Sequence, residues 1–248
     1  MMKVKATGIV LNETNYSETS KILNILTKEY GYISVMSKGC RTLKSKLRGI
    51  SMKLVYADFI ITYKENAISL LHEGNVINSL KNIMTDLEKM NYANYLLDLM
   101  KSILKDTNQK QLFYLLRDAL LKINQDFSPS LITNIVEVKL LDYLGVKPIF
   151  YECINCSSKE IHTFSFSLGG VVCENCYENS YLFSKNTLKL LELFQKVEID
   201  KIDKLNISSE KTREEINYFL EEYYTTYTGI YLKDKNKFKV NYFSSFIN

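Results

Sequence analysis

The sequence of 248 residues has no tryptophan, only two prolines and only nine glycines. So little proline and glycine argues against long linkers and low-complexity tails. No apolar run reaches the length of a membrane span, and the opening MMKVKATGIV lacks the long apolar segment of a signal peptide. From these absences we expect a cytoplasmic globular protein with no membrane partner.

Motifs typical of enzymes are also missing. The two histidines, His72 and His162, form no recognisable pattern with a serine or cysteine nucleophile. The sequence contains neither a Walker lysine loop nor G-x-G-x-x-G, and the stretch GCRTLKSK lacks the spacing of a phosphate loop. We therefore predict no catalytic residues and favour a binding protein over an enzyme.

Four of the five cysteines follow a metal-binding pattern, C-x2-C, then 16 residues, then C-x2-C: Cys153, Cys156, Cys173 and Cys176. Two tight turns that each supply a pair of thiolates predict a tetrahedral site for one zinc ion. Four thiolates leave no coordination position for water, which indicates a structural rather than a catalytic metal. A redox dithiol would instead need a single Cys-x-x-Cys near a βαβ pattern. The remaining Cys40 is expected to be a free thiol in a reducing compartment.

The first 80 residues predict five strands with turn-prone segments between them. Apolar or alternating runs rich in Val, Ile, Tyr and Thr cover 4–11, 20–27, 32–36, 54–62 and 68–77, and turns are expected at 12–15, 30–31, 38–39 and 64–66. Five short strands without a long helix favour a closed barrel, because an open sheet would expose its edges. The OB-fold is a five-stranded barrel of this size that grips single-stranded nucleic acid.

Helical periodicity begins near residue 79. It predicts helices over 79–104, 110–123, 128–144, 185–197 and 212–227, and Thr212 with Glu215 suggests a capping box for the last one. Between the cysteine pairs, alternating apolar residues predict a strand that turns back at Gly169–Gly170. The sequence therefore predicts an α+β protein. An OB-fold barrel occupies 1–80, and a helical domain occupies 81–248, with a zinc-binding insertion at about 151–178.

Positive charge is concentrated in the barrel. The net charge is +4, residues 1–80 alone carry +5, and one stretch has six cations with no acidic residue between them: Lys38, Arg41, Lys44, Lys46, Arg48 and Lys53. Such an excess suits a polyanion such as DNA, although a charge run can also be a solvated loop. The tail lysines either extend a DNA path or are solvated: Lys233, Lys235, Lys237 and Lys239. Barrel tyrosines could stack on bases, but the sequence does not reveal which of them face outward.

Several segments in this order resemble the RecO family of bacterial DNA repair proteins: TGIVLNETNYSETSKILNILTKEYG, SKGCRTLKSKLR, CINC, FSFSLGGVVCENC and YTGIYLK. The resemblance covers essentially the whole chain. Where that family commonly has glycine after the second cysteine, this chain has Ser157.

The resemblance implies a non-enzymatic recombination mediator. Such proteins bind single- and double-stranded DNA, anneal complementary strands and work with RecR. They also bind the acidic C-terminal tail of single-strand-binding protein and help RecA to replace that protein on DNA, which implies association with the nucleoid. Matching positions imply DNA contacts in the stretch from Lys38 to Lys53. Two other hypotheses stay open: a zinc-stabilised adaptor that binds an acidic peptide without significant DNA binding, and a zinc-dependent hydrolase of nucleic acid.

Overall fold

The computed structural model describes residues 2–104, 110–179, 181–204, 206–233 and 235. Contacts between Cα atoms divide the chain into two compact units, of which the first contains the chain up to Pro129 and the second begins at Ser130. The last barrel strand ends just before residue 80, where the sequence predicts a domain boundary, and helices follow. The helices up to residue 124 belong to the same compact unit as the strands.

The five strands of the first unit close into a barrel. They are β1 (Lys3–Asn15), β2 (Lys21–Thr27), β3 (Gly31–Ser37), β4 (Tyr56–Thr62) and β5 (Ser69–Asn78), arranged in the order β1-β2-β3-β5-β4. Neighbouring strands are antiparallel except β3 and β5, which run parallel and pair only at Val35–Ser69 and Met36–Leu70. The predicted OB-fold barrel is thereby confirmed.

Alternation along the strands fills the barrel with apolar side chains. Its buried cluster comprises Ala6, Val10, Leu23, Ile25, Ile33, Val35, Ile50, Ala57, Phe59, Ile61 and Leu71. The predicted turn at 12–15 is wrong. A bulge after Val10 lets β1 continue, and pairing of Glu13 with Leu23 and of Asn15 with Lys21 carries the strand to its end.

The described part of the first unit also contains the helices α1 (Lys81–Met84), α2 (Leu87–Leu104) and α3 (Leu112–Asn124). The single helix predicted over 79–104 is interrupted, because α1 ends at Thr85 and the Asp86 carboxylate accepts a hydrogen bond from the Lys89 amide at 3.0 Å to start α2. Helices α2 and α3 contact β1, whose Ile9 and Leu11 are buried although they lie outside the barrel cluster.

The second unit contains α4 (Pro129–Tyr143), the hairpin β6 (Thr163–Ser165) and β7 (Gly170–Val172), α5 (Lys185–Lys196) and α6 (Glu210–Thr228). The strand and glycine turn predicted between the cysteine pairs are present. The predicted capping box at Thr212 is wrong, because α6 begins earlier and Ser209 Oγ accepts the Thr212 amide at 3.3 Å. None of the described helices is both long and apolar enough to cross a membrane.

Aromatic side chains hold the β6–β7 hairpin against α6. The ring centroid of the fully buried Phe164 lies 4.9 Å from that of Phe219 and 5.8 Å from that of Tyr223, both on α6. Phe150, which precedes the cysteine segment, contacts Phe164 from another side at 5.5 Å. The cysteine insertion is thus anchored in the aromatic core of the second unit.

Candidate metal centre and nucleic-acid interface

The four cysteines of the two C-x2-C pairs come together beside the β6–β7 hairpin. Their sulfur atoms all lie within 4.8 Å of one another, and the sulfurs of Cys156 and Cys173 are 3.6 Å apart. Bonds of about 2.3 Å to a tetrahedral zinc ion place sulfurs about 3.8 Å apart, so the group fits a single ion. Four cysteines close together could therefore hold a metal ion, and His162 is not a member of the group.

Backbone hydrogen bonds shape both turns. In the first turn, the amide of Cys153 donates to Ser158 O and the amide of Ser157 donates to Cys153 O, both at 2.8 Å. Ser157 adopts a left-handed conformation with φ of 59°, which explains why glycine suits this position. The Ile154 amide donates to Val171 O at 2.9 Å, and this bond ties the first turn to β7 and hence to the second pair.

The sulfurs influence one another's ionisation. Burial acts to raise the pKa of the Cys153 thiol, but backbone hydrogen bonds from Cys173, Cys156 and Asn155 outweigh burial and lower that pKa to about 6. The neighbouring sulfurs of Cys173 and Cys156 raise the pKa of Cys176 to about 12. A site that already favours one thiolate and crowds three more thiols around it has the chemistry of a cation site, since a divalent ion stabilises all four thiolates.

The cations of the β3–β4 connection, residues 38–55, are mostly displayed to solvent. Five of the six predicted side chains are exposed: Lys38, Arg41, Lys44, Lys46 and Arg48. We call the segment 38–51, which carries these five cations, the basic loop. Its backbone is fixed to the barrel, because Cys40 and Ile50 are buried, the Ser37 and Ser51 hydroxyls are 2.8 Å apart, and the Arg41 amide donates to Thr19 O at 2.9 Å.

Within the basic loop, backbone turns follow one another every three residues. Amide-to-carbonyl hydrogen bonds of 3.1–3.3 Å run from Thr42 to Gly39, from Ser45 to Thr42, from Arg48 to Ser45 and from Ser51 to Arg48. These bonds satisfy the backbone locally and leave side chains to project outward. The loop therefore presents its charges from an ordered support, at a low entropic cost of binding.

Lys53 differs from the other five cations. Its side chain is 31% exposed, and its Nζ lies 3.7 Å from the Asp98 carboxylate on α2. Arg41 is exposed but donates a hydrogen bond from Nη1 to Ser17 O at 2.7 Å, next to the β1–β2 turn. The structure thus brings five predicted cations together on one loop and sets Lys53 against a helix of the same unit.

Comparison with known proteins identifies the family. The family models "Recombination protein O N terminal" and "Recombination protein O C terminal" match residues 1–80 and 84–236. The chain belongs to the RecO family.

Relatives that carry the name DNA repair protein RecO align along nearly the whole chain. The protein of Bacillus pumilus (strain SAFR-032) is 35% identical over 243 residues, 94% of this chain and 93% of the relative. That of Bacillus subtilis (strain 168) is 32% identical over the same shares, and that of Listeria monocytogenes serotype 4b (strain CLIP80459) is 30% identical over 236 residues, 93% and 92% of the two chains. This chain is therefore a DNA repair protein of the RecO family.

One polar group in this RecO-family protein escapes sequence analysis. Lys235 is buried, and its Nζ donates to Glu137 Oε2 at 2.5 Å and to Asn134 Oδ1 at 2.7 Å, two buried side chains of α4. Lys235 is thus neither part of a DNA path nor solvated. The available signal is a glutamate within the apolar run LITNIVEVKLL, since a buried carboxylate needs a partner. Lys237 and Lys239 lie outside the described residues.

A second buried carboxylate joins two helices. Glu215 on α6 accepts hydrogen bonds from the hydroxyls of Ser184 and Thr187 at 2.7 and 2.5 Å. Burial acts to raise its pKa, but the hydrogen bonds from Thr187 and Ser184 outweigh burial and lower that pKa. Glu215 therefore fastens α6 to the N-terminus of α5 instead of capping its own helix.

Proposed function

We propose that this RecO-family protein is a non-enzymatic recombination mediator that binds single- and double-stranded DNA through the basic loop. The observation that carries the proposal is the display of five exposed cations on an ordered connection of the OB-fold barrel. Neutralisation of phosphates gives affinity that is independent of sequence and falls with salt. A repair protein needs this property because damage occurs in any sequence.

Annealing follows from the same chemistry. Two complementary strands repel each other through their phosphates, and cations fixed on the barrel screen that repulsion while the bases stay able to pair. No proton transfer or bond cleavage is involved, so no catalytic residue is required. We propose Lys38, Arg41, Lys44, Lys46 and Arg48 as phosphate contacts, with Lys53 in a secondary role because of its ion pair with Asp98.

The four cysteines are proposed to hold one zinc ion with a structural role. Four thiolates are the donor set of structural zinc sites, and a complete shell has no position for a reacting water. The ion would fix the insertion at about 151–178 within the helical domain, 81–248, while the barrel domain, 1–80, supplies the DNA contacts. Lys159, the single cation from Cys153 to Cys176, lies 2.8 Å from the Glu152 carboxylate, so the insertion offers little free positive charge.

The proposed partners are those of a mediator. They are RecR, the acidic C-terminal tail of single-strand-binding protein and, indirectly, RecA, whose loading onto coated single-stranded DNA the protein would assist in the cytoplasm at the nucleoid. The family membership and the relatives named DNA repair protein RecO support this assignment.

A salt titration tests the proposal. Binding to a single-stranded oligonucleotide is measured by fluorescence anisotropy over a range of salt concentrations, for the parent and for a triple Lys44→Ala, Lys46→Ala, Arg48→Ala variant. Each phosphate contact on a single strand contributes about −0.7 to the slope of log affinity against log salt, so the variant should lose about 2 units of slope. A matched control replaces three exposed lysines of the second unit, Lys196, Lys201 and Lys211, by alanine.

Equal affinity and slope in parent and triple variant would refute the basic loop as the DNA contact. Negligible affinity of the parent for DNA at physiological salt, together with retained binding of the acidic tail peptide, would favour the adaptor hypothesis instead. Cleavage of the oligonucleotide that a chelator abolishes would favour the hydrolase.

A further inference from the structure

A groove opens on the barrel where β3 and β5 part. The two strands pair only at Val35–Ser69 and Met36–Leu70, and the segments that precede these pairs separate. The space between them has a volume of about 290 Å³ and is lined by the start of β3 and the β4–β5 turn: Tyr30, Tyr32, Ile33, Ser34, Tyr63, Lys64, Asn66, Ala67 and Ile68. This volume is near the small end of the range for ligand sites, which suits a single planar group.

Three tyrosine rings contribute to the lining of the groove. Tyr30 and Tyr63 stack with centroids 4.2 Å apart and ring planes inclined by 25°. Tyr30 directly precedes β3, and Tyr32 is the second residue of that strand. All three rings are half-buried. The stacked pair is held in place, because the Tyr30 amide donates to Thr27 Oγ1 at 3.0 Å and both rings pack against the barrel cluster. A ligand would therefore meet a preformed aromatic surface.

Among the residues that line the groove, the charged side chain is that of Lys64. Lys64 lines the groove, is exposed, and makes no ion pair with a described residue, whereas the neighbouring Glu65 is not among the lining residues. The Lys64 amide donates to Ser69 Oγ at 3.1 Å, which fixes the start of the turn beside β5. A planar aromatic surface beside a single cation is complementary to a nucleobase with its adjoining phosphate.

We propose that this groove is a base-binding subsite for single-stranded nucleic acid, in which an unpaired base stacks on the Tyr30–Tyr63 pair and Lys64 contacts the adjacent phosphate. The inference rests on the proposed function but concerns a different surface from the basic loop. The loop recognises phosphates in any nucleic acid, while the groove accepts only a base that has left a duplex stack. The groove therefore gives the protein a preference for single strands that charge alone cannot supply.

Ligands that have the same number of phosphates but differ in their bases distinguish binding at the groove from binding at the basic loop. The full-length protein is titrated with a short oligothymidylate, with an abasic oligonucleotide of equal phosphate number, and with a duplex of equal length. Stacking of one base is typically worth about tenfold in affinity, so the parent should bind the oligothymidylate about tenfold more tightly than the abasic strand. Tyr63→Leu, which keeps apolar volume but removes the ring, should abolish that difference, and Tyr63→Phe should keep it.

The absence of tryptophan provides a direct reporter. In Tyr63→Trp the only tryptophan sits in the groove, and its emission should be quenched by the oligothymidylate but not by the abasic strand. A control with Tyr231→Trp, 81% exposed and located in the second unit, should show no base-dependent quenching.

Equal binding of oligothymidylate and abasic strand by the parent, or no quenching of the groove tryptophan at saturation, overturns the groove inference while the basic loop stands. Failure of the parent to bind any of the three ligands overturns both. Because the parent's own base dependence is informative, the test does not depend on whether Tyr63→Leu folds.

Discussion

Replacing Lys235 by methionine tests the buried ion pair that links residue 235 to α4. The side chains of Lys235 and Glu137 are 3% and 0% exposed, so neither charge is screened by water. Removal of one partner from a buried pair typically costs about 3–5 kcal/mol, because the remaining charge stays buried without its counter-ion. That is a large fraction of the roughly 5–15 kcal/mol by which a native domain is stable. We therefore expect Lys235→Met to unfold at much lower temperature or denaturant concentration than the parent.

A double-mutant cycle isolates the pair. Glu137→Met alone should also be strongly destabilising, while the double variant should recover most of the loss, since a well-packed apolar pair can replace a buried ion pair at little cost. Urea unfolding followed by far-ultraviolet circular dichroism gives the four free energies of unfolding. Single variants that lose less than about 0.5 kcal/mol would resemble ordinary surface substitutions and would refute the buried pair.

Three further predictions concern the second unit. Ser157→Gly should raise the free energy of unfolding by a few tenths to about 1 kcal/mol, measured by urea titration, because glycine relieves the left-handed backbone at φ of 59°. Elemental analysis should find about one zinc per chain, and a zinc-free parent purified without chelators would contradict this. Cys153→Ser should lose the metal and melt at a lower temperature than the parent. At low temperature, where the variant is still folded, its DNA affinity should equal that of the parent. The Glu215 pKa is lowered in the folded protein, so the ionised carboxylate contributes fully to the free energy of unfolding above the ordinary glutamate pKa, and this contribution disappears as pH falls through the lowered folded value. Glu215→Gln should therefore lower the free energy of unfolding at neutral pH and have little effect in strong acid. A decrease in the free energy of unfolding that is independent of pH would refute this.

Features set by local pattern were predictable from the sequence. Alternating apolar residues predict all five barrel strands, and the spacing of the two C-x2-C pairs predicts the sulfur cluster, because a tight turn brings each pair together whatever lies elsewhere. The position of Lys38 to Arg48 between two strands likewise predicts an exposed basic connection.

Features set by distant partners were not predictable. Glu215 has the spacing of a capping box with Thr212, yet its carboxylate is satisfied by Ser184 and Thr187, which lie far away in sequence. Lys235 looks like one lysine of a charged tail, and only the folded chain brings it to Glu137. The segment after Leu11 reads as a turn because Asn and Glu are rare in strands, but pairing with β2 overrides that propensity.

The packing around the cysteines explains why a metal there would serve the fold. The first cysteine turn is joined to β7 by the bond from Ile154 to Val171, and the hairpin carries Phe164 into contact with Phe219 and Tyr223 of α6. An ion that locks four sulfurs would thus hold the hairpin, and the hairpin holds the aromatic core of the second unit. Without a cation, the raised pKa values of Cys156 and Cys176 keep these thiols protonated, and four sulfurs that no ion bridges would hold that arrangement only loosely. Loss of the metal should therefore first release the rings around Phe164, seen as a loss of near-ultraviolet circular dichroism, while the basic loop keeps its own hydrogen bonds and its phosphate contacts.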